Sequence, residues 1–120
     1  MKIILVYNAE SNFKSAMFDM AHKILSPQTY ACDLCKLTHG AFKEKANWTR
    51  FVEKSFLEFE FLHKDEYELK YEPISAYPFI ASLSEGLLTL LVDSDKLKKF
   101  QSELDLIDYF EKLEIDNARA

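Results

Sequence analysis

"AYPFIASLSEGLLTLLV", residues 76–92, decides the second half of the fold. Two β-rich apolar runs, "PFIASL" and "LLTLLV", flank "SEG", and Gly86 in that gap makes an antiparallel hairpin the natural join. Pro78 lacks an amide donor, so it suits the first position of a strand. Upstream, "IILVY" (Ile3 to Tyr7) is a continuous apolar run, as an interior strand covered on both faces requires. "LEFEFLH" (Leu57 to His63) alternates instead, with Leu57, Phe59 and Phe61 inward and Glu58 and Glu60 outward, which predicts a half-exposed strand near an edge.

Between the strands the period changes. Phe13, Met17, Met20, Ala21 and Ile24 fall on one face of a helix that Ser11 can cap and "SP" at 26–27 ends. A second helix is expected from about Lys43 to Ser55, with Trp48, Phe51 and Val52 on one side. "KDEYELKYEP" suits one or two helical turns. "SELD" at 102–105 has the spacing of a helix start, and Leu106, Ile107, Phe110 and Leu113 continue it as an apolar stripe. The terminal "DNARA" is expected to fray. Residues 26–42 have no long period and read as a connection with room for one helical turn. The first and second strands need a helical crossover, so they should be parallel; the last two pair antiparallel. The sheet is therefore mixed, with about four strands.

At 120 residues the chain has the length of one domain, 1–120, able to bury roughly two thirds of its unfolded surface. A hydrophobic content of 48% supplies enough apolar material to exclude disorder. The formal charge of −5, with acids dispersed along the chain, argues against nucleic acid and anionic membranes as partners. No apolar run reaches the 18 or so residues of a membrane span, and "MKIILVY" is too short for a signal-peptide core. A cytoplasmic protein, monomeric or weakly homodimeric, is expected. Thiols stay reduced there, so two nearby cysteines suggest metal or redox work before a structural disulfide.

This order of elements resembles the thioredoxin-like fold. The likeness rests on "IILVY", on "FEFLHKDEYELKY" in the place of the second strand and its helix, and on "AYPFIASLSEGLLTLLV" in the place of X-Pro, strand, turn and strand. It implies an α/β domain with helices on both faces of the sheet. An X-Pro bond is cis about 5% of the time; because cis is the rule in that family at this position, the likeness raises Tyr77–Pro78 to about even. Thioredoxin-like oxidoreductases place Cys-x-x-Cys between the first strand and first helix, where this chain reads "NAESNF". Here the pair comes after a helix that carries the chain about 20 Å away. "AHKILSPQTYACDLCKLTHG" with "FLHKDE" also looks like a family of small, uncharacterised bacterial proteins, some of which carry an automatic GTPase label. The residues do not support that label, since two glycines and no G-x-x-x-x-G-K-[ST] cannot form a phosphate-binding loop.

"CDLCKLTHG", residues 32–40, is the candidate site. As a redox pair, one of Cys32 and Cys35 would attack a sulfur electrophile and the other would resolve the mixed disulfide, with Lys36 favouring the thiolate and Asp33 opposing it. As zinc ligands, Cys32 and Cys35 would need two more donors, for which His22 and His63 are best placed, with His39 as a substitute. The plain alternative is two small buried thiols. Asn8, Glu10 and Ser11 occupy the strand-to-helix junction where α/β sheets commonly hold ligands, although a turn at Asn8 and a cap at Ser11 are the favoured explanation. His22 suits a structural histidine and "KDEYE" (64–68) a solvated face. The expected function is thus a thiol-based site at Cys32 and Cys35, redox or zinc, with an unknown protein or a small thiol as partner. The competing class is a non-catalytic binding or adaptor domain.

Overall fold

The computed structural model describes residues 1–9, 32–39 and 44–118. The helix expected over 12–24, together with Glu10, Ser11 and His22, lies outside them. Four strands form one sheet in the order β2-β1-β3-β4: β1 Lys2–Tyr7, β2 Glu58–His63, β3 Phe79–Ser84 and β4 Leu87–Val92. β1 and β2 run parallel with Tyr7 opposite His63, whereas β3 is antiparallel to both β1 and β4. The helices are α1 Asp33–Thr38, α2 Ala46–Lys54, α3 Lys64–Lys70, α4 Ser94–Leu97 and α5 Glu103–Ala118. The mixed sheet is as the sequence predicts. No helix among the described residues is long and apolar enough to cross a membrane.

The unbroken run "IILVY" is explained by its place. β1 has strands on both sides, and Ile3 to Tyr7 are all buried because both faces are covered. Ile3, Leu5 and Tyr7 join one core cluster with Trp48, Leu106 and Phe110; Ile4 and Val6 join another with Leu62, Tyr67 and Phe79. α3 contributes Tyr67 to the second cluster, while α1, α2, α4 and α5 contribute to the first. Helices therefore pack on both faces. Phe110 of α5 meets Phe59 edge to face at 5.3 Å, a favoured aromatic geometry that fastens the longest helix to the sheet.

Glu85 and Gly86 both have positive φ, 51° and 79°, so β3 and β4 are joined by the two-residue turn whose twist matches the strands. Gly86 takes that conformation without steric cost. The Tyr77–Pro78 bond that leads into β3 is cis.

Three local expectations need correction. Phe61 faces Tyr7 and Trp48 as expected but stays 36% exposed at the sheet edge, and Leu62, not expected inward, is buried on the opposite face. α4 was not foreseen. It is too short for a period and is set by a cap, the Asp93 carboxylate accepting from Lys96 N at 2.8 Å. α5 also continues into the residues expected to fray, as far as Ala118.

Candidate functional site

The segment expected to be a connection with room for one helical turn contains the short helix α1, and the cysteines define its start. Cys32 is the N-cap: its Sγ accepts from Cys35 N at 3.2 Å, and its carbonyl accepts from Lys36 N at 3.2 Å. In a helical turn, residues three apart lie on one side. This brings the two Cα atoms to 5.3 Å, within the usual range for a bridge, and the sulfurs are joined as a disulfide. Neither cysteine is free.

The pair is inside the protein. Cys32 is 3% exposed and Cys35 7%, and both belong to the core cluster with Leu34, Leu37, Leu97 and Leu106. α1 packs on α4 and α5, so among the described residues part of the packing around the pair comes from elements distant in sequence. Lys36, the expected thiolate-favouring group, has an exposed side chain, and Asp33 is half-buried.

The other end of α1 is polar. Thr38 is fully buried, and its hydroxyl has three partners: Leu34 O at 3.1 Å, Tyr7 OH at 3.3 Å and His39 Nδ1 at 2.7 Å. A hydroxyl has one hydrogen. The Leu34 carbonyl can only accept, so Thr38 donates to it, and both Tyr7 OH and His39 Nδ1–H donate to Thr38. This assigns the Nδ1–H tautomer to His39. Its backbone N–H caps the helix on Cys35 O at 2.9 Å. The Tyr7 ring stands between two imidazoles, 6.0 Å from His39 and 6.1 Å from His63. Burial pushes the His39 pKa below its ordinary value; Glu44 works against this and His63 adds to it.

His63 closes β2 and caps α3. Its Nδ1 lies 2.6 Å from Glu66 Oε1, and its backbone N–H donates to the same oxygen at 2.9 Å. Of the proposed zinc set, Cys32 and Cys35 are together, His63 is placed with Glu66, and His22 is outside the described residues. Among the described residues no group of three or more His, Cys, Asp or Glu side chains is arranged to hold a metal ion. His39 is at the opposite end of α1 from Cys32. Asn8 is half-buried just beyond β1.

No family model, curated protein or solved structure matches this chain. Chemical geometry alone must carry the functional reading. The residues that sequence reasoning missed are Tyr7 and Thr38. Thr38 lies three positions after Cys35, and its role was open to inference only once "DLCKLT" was read as a helix.

Proposed function

We propose that the chain is a thioredoxin-like domain whose Cys32–Cys35 pair cycles between disulfide and dithiol with an external sulfur compound. The strand order β2-β1-β3-β4, the parallel β1–β2 pair and Pro78 leading into β3 support the fold. The observation that carries the chemistry is the pairing of the chain's two cysteines.

The reaction is a two-step exchange. An external thiolate attacks one sulfur, forms a mixed disulfide and expels the other cysteine as a thiolate. A second external thiolate then attacks the external sulfur of that mixed disulfide and expels the bonded cysteine as a thiolate, leaving Cys32 and Cys35 as thiols after proton uptake, with the external pair oxidised to a disulfide. Leaving-group stability selects the sulfur attacked. The Cys35 N–H points at Cys32 Sγ, and a hydrogen bond to the charged form favours it. Attack at Cys35 therefore releases the better-held thiolate, and Cys32 is the resolving residue.

Zinc is the competing occupant of the same sulfurs. It binds thiolates, so a disulfide and a zinc site are mutually exclusive states of this pair. Both are separated by one experiment: equilibrate the folded protein across a series of thiol/disulfide ratios, block free thiols, and count blocked groups by mass. The expected result is joint conversion of both cysteines at one midpoint, with no zinc in the reduced sample. Near one zinc per chain, lost in Cys32→Ser, would establish the metal reading instead. A bridge closed at every ratio would make the disulfide structural and favour an adaptor domain; thiols free at every ratio would remove the redox reading.

A further inference from the structure

We infer that the reductant and oxidant of the Cys32–Cys35 pair are small diffusible thiols and disulfides, and not the cysteines of a folded partner protein. This rests on the redox reading above and names its substrate class. Exchange at sulfur requires the incoming thiolate to approach in line with the bond that breaks. The sulfurs sit at residues 3% and 7% exposed, packed with Leu34 and Leu37 of their own helix and against α4 and α5. A partner cysteine on a folded surface brings its backbone and neighbouring side chains to the same point. That bulk would have to displace the packing around residues this buried: among the described residues the depression along α4 and α5 is lined by residues such as Lys96, Phe100 and Tyr109, the one along α2 and α5 by Phe51 and Ile107, and neither includes a cysteine.

Access instead needs only a local opening. α1 has six residues, and its far end is tied down by Tyr7, by Lys45 N donating to Thr38 O at 2.8 Å, and by the antiparallel pairing of His39 with Glu44. Opening is therefore confined to the cysteine turn, a segment short enough to part for a single thiol without the domain unfolding. The balance is unchanged by the size of the reagent. Two small thiols give up two electrons and two protons, the bridge becomes two thiols, and one small disulfide leaves.

The test compares reduction rates of the oxidised, folded chain by glutathione and 2-mercaptoethanol with those by a reduced thioredoxin-type protein dithiol. Each rate is divided by the rate of the same reagent on the denatured chain, which removes intrinsic reactivity. The expected result is that folding slows the protein reagent at least about tenfold more than the small ones. Equal or smaller slowing of the protein reagent would overturn this inference and leave the redox couple standing. If neither class reduces the folded chain faster than it globally unfolds, the redox reading and this inference fall together.

Discussion

At the first turn of α1, Cys32 and Cys35 are held by a covalent bond among apolar neighbours; at its last residue, Thr38 is held by hydrogen bonds from Tyr7 and His39. The two ends are one turn apart and respond to different chemistry. Under the proposed function a reductant releases the first end without changing any charge at neutral pH, whereas the second contains an imidazole whose protonation is opposed by burial. One short helix thus joins an end closed by a disulfide to an end closed by hydrogen bonds to an imidazole and a phenol.

Both ends are clamped onto the same core. Leu34 is fully buried between them, and Leu34→Ala should lower stability by about 2–5 kcal/mol through lost burial and the cavity left behind. Chemical denaturation would show it. A loss well under about 1 kcal/mol would mean that α1 rests on the core without contributing to it.

Cutting only the covalent end should cost less. Closing so short a loop removes little unfolded-state entropy, so reduction, or the Cys32→Ser/Cys35→Ser double variant, is expected to lower stability by about 2 kcal/mol. Equal midpoints for oxidised and reduced protein would show that the bridge constrains nothing that the core does not already fix.

At the polar end, Thr38→Val keeps the shape and removes the hydroxyl shared by Leu34, Tyr7 and His39. A loss of about 1 kcal/mol is expected, with the reduction midpoint of the cysteines unchanged. A shifted midpoint would show that the two ends are not independent.

The smallest effect is in pH. His39 has a lowered pKa in the fold, so its contribution is complete above about pH 6.5, where the unfolded imidazole is also neutral. As pH falls below that value the unfolded state takes up the proton first, and stability declines until the folded pKa is reached. Denaturation midpoints measured from pH 7.5 to 5 should show this decline, and His39→Gln should flatten it.

The sequence exposes these regions unequally. "IILVY" and the Gly86 turn are local patterns, so β1 and the β3–β4 hairpin are readable directly, and the Cys-x-x-Cys spacing announces the pair. Burial of that pair is not local. Among the described residues it involves α4, which has no period to read, and α5, whose residues are distant in sequence. Thr38 was hidden for a related reason: six helical residues inside a stretch without an amphipathic repeat give no signal beyond the cysteines themselves. His63 had a legible alternative in the His-Lys-Asp-Glu run, since a residue at N3 can reach back to the cap, and the structure uses it.

One cycle of reduction and reoxidation, performed on the folded protein and followed by intact mass together with circular dichroism, tests the central claim most directly. Gain and then loss of two hydrogen atoms is expected while the folded spectrum persists throughout. Thiols that appear only as the spectrum collapses would contradict it, because the bridge would then be part of the architecture and not a site.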